Sequence, residues 1–177
     1  MNVLITAGPT REALDPVRYL TNRSSGRMGY ALAQAAAEAG HAVRLVSGPV
    51  TLSPPLGVET IGVESAAQMA DAVQAALPWA DAAIFSAAVA DYRPATASAE
   101  KIKKSAERLV LELEKTTDIL GSTRTPWGFR GVLVGFAAEK LHRKGCDMLV
   151  ANDVSRAGAV GRAHPAASGA RCRRPRA

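Results

Sequence analysis

The order of apolar stretches along the chain is the feature that most restricts how it folds. Short apolar runs, closed by glycine or polar residues, alternate with Ala-rich stretches of helical period. The first pair is a strand at residues 3–6 and a helix at about residues 30–39, which Gly40 ends. Because strands that alternate with helices form parallel βαβ units, we predict an α/β fold with a doubly wound, mainly parallel, Rossmann-like sheet.

Later segments repeat the pattern. The further predicted strands occupy residues 41–47, 58–63, 81–88, 109–113, 131–136 and 147–152. A helix is predicted over residues 65–77, with Ser65 as its cap, and a short helix opens at residues 116–120. Residues 8–18 contain prolines near both ends and are predicted to form a loop.

Length and composition indicate a single domain followed by a short tail. The 177 residues are 47% hydrophobic and 21% charged, which is enough for one domain with a sizeable core. We assign residues 1–155 to that domain. Residues 156–177 are rich in Ala, Gly, Arg, Pro and Ser without a hydrophobic period, so we predict that this basic tail is disordered.

The charge and cysteine patterns argue against several classes of partner. The net charge of +6 belongs to six arginines in residues 156–177, and the remainder has 16 basic and 16 acidic residues. We therefore expect no nucleic-acid partner. The chain starts without a basic region and has no long apolar run, so we expect no signal peptide and no membrane span. Cys146 and Cys172 suit a reducing, cytoplasmic setting and indicate neither a disulfide framework nor a metal cluster.

A polar run at the start of the first helix is a candidate anion site. Asn22, Ser24, Ser25 and Gly26 precede the helix, where small side chains let a ligand approach the N–H groups and the helix dipole. One interpretation is a phosphate or nucleotide site. The other is an ordinary serine N-cap followed by a glycine that serves packing.

The carboxyl ends of the predicted strands would gather further candidates. Gly8 follows the first strand and residues 86–91 end the fourth, so both share an edge of the sheet with the 24–26 turn. No Walker A motif is present, and only the weak Gly26-x-x-Gly29 pattern resembles a dinucleotide fingerprint. Glycines, serines, an amide and lysines suit electrostatic work on phosphates better than acid–base or hydride chemistry.

Two segments that carry lysines have two open interpretations each. Lys140 and Lys144 are four residues apart, so on a helix both would face either a polyphosphate or simply solvent. Residues 100–104 contain three lysines and would form either a charged, solvated loop or a closing segment that brings Lys101 to a ligand.

Longer motifs occur in the same order as in one known family. They are residues 5–12 (ITAGPTRE), 15–19 (DPVRY), 22–29 (NRSSGRMG), 87–94 (AAVADYRP), 101–104 (KIKK), 134–139 (VGFAAE), 144–147 (KGCD) and 151–153 (AND). On these motifs, roughly residues 2–155 resemble bacterial phosphopantothenate–cysteine ligase, the synthetase half of the bifunctional coenzyme A biosynthesis protein. Residues 88–94 resemble the bacterial enzymes that use CTP rather than the eukaryotic ones that use ATP.

The resemblance implies a two-step ligation. The carboxylate of 4′-phosphopantothenate attacks the α-phosphate of CTP, which gives an acyl-cytidylate and pyrophosphate. The amine of L-cysteine then displaces CMP and forms an amide, and Mg²⁺ accompanies the triphosphate. The family works as a homodimer in which a flap from one subunit reaches towards the other's site, and residues 94–104 are our candidate for this flap.

The resemblance also implies roles for individual residues. Asn22 matches the asparagine that handles the acyl-cytidylate, and Lys101 matches the lysine needed to form it. The nucleotide contacts would be Phe85, Ser86, Ala87, Asp91, Lys101, Thr117, Asp118, Ile119, Leu120, Phe136, Lys140 and Lys144. The phosphate or substrate contacts would be Gly8, Ser24, Ser25, Gly26 and Ala88. The metal ligands in the protein are unknown, because Mg²⁺ would arrive with the triphosphate.

This sequence departs from the family pattern at several points. Thr117 stands where proline is usual, and Glu139 runs directly into Lys140 where the family has an extra helical segment. The tail differs from the family's C-terminus, and the flavin-dependent decarboxylase domain usually fused upstream, a possible partner, is not in this sequence. An alternative hypothesis is therefore an inactive remnant that still binds nucleotide. A nicotinamide-dependent oxidoreductase is a further alternative, but residues 47–49 lack the acid that it needs.

Overall fold

The computed structural model describes residues 1–103, 108–137, 145–151 and 171–172. In chain order its strands are β1 (Asn2–Ala7), β2 (Arg11–Ala13), β3 (Tyr19–Thr21), β4 (Ala42–Ser47), β5 (Val58–Gly62), β6 (Ala82–Phe85), β7 (Tyr92–Pro94), β8 (Leu113–Lys115), β9 (Val132–Ala137), β10 (Met148–Ala151) and β11 (Arg171–Cys172). The helices are α1 (Arg27–Glu38), α2 (Ala66–Ala76) and α3 (Ile119–Arg124), with one 3₁₀ turn at Leu77–Trp79.

The central sheet is doubly wound, as the alternating pattern predicts. Its strand order is β5-β4-β1-β6-β9-β10-β11. All the pairs from β5 to β10 are parallel, and β11 pairs antiparallel with β10. The chain runs outwards from β1 to β5 and then returns to β6 on the other side of β1. The strand order therefore reverses between β1 and β6, where ligands of such sheets bind.

The alternation of side chains along β1 divides the core between the two faces of the sheet. Val3, Ile5 and Ala7 point to one face and pack with Tyr30 and Ala33 of α1. The cluster on the other face joins the sheet to α2 and α3, and its fully buried members include Leu4, Val46, Met69, Val73, Ala83 and Leu133. A helix layer on each face explains why the strands are apolar throughout.

Most predicted elements are found, with changes at their ends. Helix α2 begins after Ser65, whose side chain accepts a hydrogen bond from the main-chain N–H of Gln68 while the Gln68 side chain bonds back. This capping box fixes the start of the helix where the sequence placed it. Helix α1 begins three residues earlier than predicted, at Arg27, and α3 begins at Ile119 rather than near Thr116.

Two predictions were wrong. The strand predicted at residues 109–113 instead begins at its last residue, as Leu113–Lys115, and pairs with Tyr92–Pro94. Leu109, Val110 and Leu111 are exposed, so their alternating pattern is not covered by another layer. The predicted loop at residues 8–18 instead contains β2, the first strand of a hairpin with β3. We refer to β7 and β8 as the arm and to β2 and β3 as the hairpin.

The predicted disordered tail lies almost entirely outside the described residues. Its exception is Arg171–Cys172, which is extended and pairs with Met148 and Leu149 rather than being without structure. Within the described ranges, no helix has both the length and the apolar character needed to cross a bilayer.

Helix α1 approaches the sheet so closely that it requires glycine at one position. A Cβ atom on Gly29 would overlap Ala7 Cβ and lie 2.7 Å from Ser86 Oγ. These atoms belong to the ends of β1 and β6, so the first turn of α1 lies directly over the switch point. Gly29 thus serves close packing of α1 on the sheet.

Gly29→Ala should therefore destabilise the protein although alanine favours helices. The gain in helix propensity is at most about 1 kcal/mol, whereas overpacking costs about 1–3 kcal/mol. Urea unfolding should show a net loss, and Gly62→Ala is the control because a Cβ atom at Gly62 meets nothing within 4 Å. Equal stability of the Gly29 variant and the wild type would contradict the close approach.

Candidate functional site

The loops after β1 and β6 run side by side beyond the ends of the strands. The main-chain N–H of Ala88 donates to Gly8 O at 2.8 Å, and that of Thr10 donates to Ala88 O at 3.3 Å. Pro9 and Ala88 form a parallel bridge in between. The parallel ladder therefore continues past the strands and holds Gly8 against Ala88, two predicted contacts that lie far apart in the sequence.

Buried hydroxyl groups strengthen this junction. Thr6 Oγ1 accepts a hydrogen bond from Ala87 N at 3.3 Å, and Thr10 Oγ1 accepts one from Ala90 N at 3.0 Å. Both threonines are at most 1% exposed. Ser86 Oγ donates to Thr6 O at 2.6 Å, so its proton is already committed and only its lone pairs remain for a ligand.

The 24–26 turn packs on the same junction. Gly26 has φ of 74° and is the N-cap of α1, and no side chain caps this helix end among the described residues. A Cβ atom on Gly26 would lie 2.8 Å from Val50 Cγ1 and 3.3 Å from Gly8 Cα. Ser24 Oγ only accepts a long bond of 3.4 Å from Gly26 N. The serine-cap interpretation is therefore wrong, because glycine occupies the cap position.

Asn22 is fixed at the edge of this junction. Its Nδ2 donates to Ala88 O at 3.0 Å and to Val89 O at 3.3 Å. The side-chain amide of Asn22 therefore lies beside the loop that follows β6. Any new acceptor, such as an acyl carbonyl, would have to replace one of these two main-chain carbonyls as the partner of the amide.

The arm starts and ends beside Asp91. The main-chain O of Asp91 accepts from Thr116 N at 3.0 Å, and Thr116 Oγ1 donates to Ala90 O at 2.5 Å. Within the arm, Arg93 Nε donates to Glu114 Oε1 at 2.7 Å. The main chain of Asp91 is thereby held beside Thr116, the residue before Thr117, and both Asp91 and Thr117 are exposed.

The residues around the start of α3 differ in which of their atoms a ligand could contact. Asp118 Oδ1 accepts from Gly121 N at 3.0 Å and caps α3. Ile119 and Leu120 are 4% and 9% exposed and pack in the core with Phe85. The side chains of these three core residues are therefore withdrawn from any ligand, and a nucleotide could contact only their main-chain atoms.

The remaining predicted contacts are placed only in part. Phe136 is half-buried near the carboxyl end of β9, two strands from β1. Lys140 and Lys144 lie outside the described residues. Among the side chains that the structure describes, no group of three His, Cys, Asp or Glu residues could hold a metal ion.

Lys101 is exposed, but the chain around it is attached to the tip of the hairpin. Ile102 N donates to Asp15 Oδ2 at 3.1 Å, Arg18 Nη2 donates to Ile102 O at 3.1 Å, and Ser98 N donates to Leu14 O at 2.9 Å. Two residues of the predicted flap, Ser98 and Ile102, are thus hydrogen-bonded to the hairpin tip.

Sequence reasoning did not identify Asp15 and Arg18 as part of the site. A local signal existed, because Asp before Pro often accepts hydrogen bonds from the two following N–H groups. Asp15 Oδ1 does so, from Val17 N at 2.9 Å and Arg18 N at 2.8 Å. The Arg18 guanidinium, together with these N–H groups and that of Ile102, holds the pKa of the Asp15 carboxyl well below its usual range despite its burial.

Comparison with known proteins gives a consistent family match. Residues 1–167 match the family described as the DNA/pantothenate metabolism flavoprotein C-terminal domain. Over 166 residues the chain is 51% identical to the coenzyme A biosynthesis bifunctional protein CoaBC of Vibrio parahaemolyticus, covering 87% of this chain and 42% of that protein. The CoaBC protein of Escherichia coli is 47% identical over 168 residues, with 88% and 41% covered. The chain therefore spans less than half the length of these curated relatives.

Solved structures share the fold. The crystal structure of the C-terminal domain of CoaBC is 48% identical, has a TM-score of 0.75 and covers 86% of this chain and 76% of its own. The DNA/pantothenate metabolism flavoprotein from Streptococcus pneumoniae is 25% identical, with a TM-score of 0.76, and 88% and 83% are covered. Both matches cover at least 86% of this chain, so the fold is shared over most of its length.

The depressed pKa of Asp15 predicts how stability depends on pH. An ionised Asp15 stabilises the fold fully above its unfolded pKa of about 4, and this contribution is lost as the pH falls through the lower folded value. The free energy of unfolding of the wild type should therefore fall more steeply than that of Asp15→Asn between about pH 5 and about pH 2. Urea unfolding at each pH measures both slopes, and equal slopes would contradict the ion pair.

Proposed function

Because this chain belongs to the family of the DNA/pantothenate metabolism flavoprotein C-terminal domain, we propose that it is a CTP-dependent ligase of coenzyme A biosynthesis. It would join 4′-phosphopantothenate to L-cysteine through an acyl-cytidylate. The observation that carries the proposal is the junction at the switch point, where Gly8 and Asn22 lie against the loop after β6 and the 24–26 turn packs on Gly8.

The first step converts a poor acyl donor into a good one. A carboxylate oxygen of 4′-phosphopantothenate attacks the α-phosphorus of CTP, the bond to the β-phosphate breaks, and pyrophosphate leaves. Charge builds on the α-phosphate oxygens, and a cation at Lys101 would offset it. Mg²⁺ supplies further charge neutralisation when it is bound with the triphosphate.

The second step forms the amide. The cysteine amine attacks the acyl carbon, the bond to the CMP oxygen breaks, and the amine loses a proton to solvent. Asn22 would donate a hydrogen bond to the acyl oxygen as negative charge develops there, in exchange for its bond to Val89 O. The exchange lowers the barrier by the amount that the bond to the developing oxyanion is stronger than the bond to Val89 O.

The two glycines with positive φ, Gly8 and Gly26, let their turns pack closely together. A Cβ atom would lie 2.9 Å from Val50 Cγ1 at Gly8 and 2.8 Å from the same atom at Gly26, so a side chain at either position would push the turns apart. A triphosphate would meet the main-chain N–H groups beside these turns. A homodimer and a decarboxylase domain as partner belong to the same proposal, on the family resemblance alone.

The alternative is a chain that binds nucleotide but does not turn it over. The observation in its favour is that Glu139 is followed directly by Lys140, where the family has an extra helical segment. The loss of this segment would displace Lys140 and Lys144, two predicted nucleotide contacts. A coupled pyrophosphate assay with CTP and ATP side by side separates the two hypotheses. CTP-dependent release that requires 4′-phosphopantothenate supports the ligase, and CTP binding without release supports the alternative.

Lys101→Gln should lower the rate of pyrophosphate release by about 100-fold, the usual effect of removing one group that stabilises transition-state charge. The KM for CTP should change much less. Lys103→Gln is the matched control, because it removes the same charge two residues away in the same exposed segment. If both variants lost activity equally, general charge in the segment would explain the effect and the specific role of Lys101 would be refuted.

A further inference from the structure

We propose that Asp15 is a positioning residue that fixes the main chain beside Lys101 and so sets where the Lys101 ammonium group stands. This inference rests on the proposed function, in which Lys101 acts on the nucleotide. The tether itself is a separate physical claim, which can be measured without any turnover.

The Asp15 carboxylate connects two distant segments. Its Oδ2 accepts from Arg18 Nε at 2.9 Å, from Arg18 Nη2 at 2.5 Å and from Ile102 N at 3.1 Å. Arg18 Nη2 also donates to Ile102 O at 3.1 Å. The peptide groups on both sides of Ile102 are therefore held by one ion pair, directly after Lys101.

The two side chains of this ion pair differ in how much of their surface is exposed. The Asp15 side chain is 0% exposed, whereas that of Arg18 is 43% exposed. A fully buried carboxylate needs donors for both oxygens, and Asp15 obtains them from the hairpin tip and from a residue 87 positions later. Without the 98–102 segment in place, Asp15 Oδ2 would lose one donor and part of its cover.

The hairpin that carries this pair is itself anchored. Arg11 pairs with Thr21 and Ala13 with Tyr19, and Thr21 Oγ1 donates to Thr10 O at 2.7 Å. Glu12, 4% exposed, accepts a hydrogen bond from Ala66 N at 2.9 Å, at the start of α2. These bonds fasten the hairpin to the core on both sides.

The same hairpin leads directly to the other proposed catalytic group. Strand β3 ends at Thr21, and the next residue is Asn22, whose amide bonds the loop after β6. The hairpin therefore carries Asn22 at its base and holds the Lys101 segment at its tip. The distance between these two groups is set by a hydrogen-bonded unit rather than by a free loop, and preorganised spacing of this kind is what catalysis requires.

The test compares Asp15→Asn with wild type in two measurements. Asparagine has no negative charge and only one acceptor oxygen, so the ion pair with Arg18 is lost and the N–H donors around one of the two former carboxylate oxygens meet an NH₂ group; the tether should therefore weaken. Amide hydrogen exchange of a peptide spanning residues 98–103 should be about tenfold faster in the variant. In the pyrophosphate assay kcat should fall by about 10- to 100-fold, as expected for a displaced catalytic group, with KM for CTP within about twofold.

A second variant of the ion pair and a control variant complete the test. Arg18→Lys retains a positive charge beside Asp15 but lacks the fork that also reaches Ile102 O, so it should show the same pattern more weakly. Glu59→Gln breaks a comparable pair, Arg44–Glu59, between β4 and β5 and should leave both readouts as in the wild type. Exchange in β1 reports whether each variant is folded.

The outcomes separate this inference from the proposed function. Unchanged exchange at residues 98–103 in folded Asp15→Asn or Arg18→Lys refutes the tether. Faster exchange with a wild-type kcat refutes its positioning role. If wild type releases no pyrophosphate, the proposed function fails and the exchange comparison alone decides the tether.

Discussion

The site depends on a ladder of hydrogen bonds that continues after β1 and β6 have ended. Two parallel strands normally diverge into separate loops at a switch point, which leaves a crevice. Here the bonds between Gly8, Thr10 and Ala88 keep the two loops together. The buried hydroxyl groups of Thr6 and Thr10 satisfy main-chain N–H groups that would otherwise be unpaired in a dry environment. The two loops therefore form one hydrogen-bonded surface at the carboxyl edge of the sheet, which we call the floor of the candidate site.

Asn22, the glycine turns and the segment that carries Lys101 are attached to this floor or to the hairpin beside it. Gly29 allows the start of α1 to rest on the floor, and Asn22 is bonded to its outer side. The arm leaves from Ala90 and returns through Thr116, so its base is closed by two hydrogen bonds. The chain thereby holds an amide and two glycine turns at the switch point and a lysine segment at the hairpin tip, without a metal cluster among the described residues.

Local sequence signals predicted those parts of the fold that local interactions determine. The apolar period and the Ser65 cap were sufficient for α2, because a capping box needs only residues within one helical turn. The alternation at residues 109–113 predicted a strand at the wrong residues, because an apolar period does not show whether another layer will cover the segment. The hairpin was missed because its strands have three residues each, too few to show a period.

The candidate site likewise has parts that the sequence predicted and parts that it did not. Gly8, the 24–26 turn and the loop after β6 could be assigned together because all carboxyl ends of parallel strands share one edge. The bond from Ile102 to Asp15 spans 87 residues, and no local pattern specifies its partner. Likewise, nothing in the motif at residues 117–120 revealed that Ile119 and Leu120 would turn into the core, since burial depends on where α3 meets the sheet.

The central claim is that a nucleoside triphosphate lies across the switch point between β1 and β6. Amide hydrogen exchange with and without CTP and Mg²⁺ tests it most directly. The account predicts slower exchange on CTP addition in peptides that cover residues 22–29 and 86–91, with no change in the outer connection at residues 53–58. Protection confined to other segments, or none at saturating CTP, would contradict it.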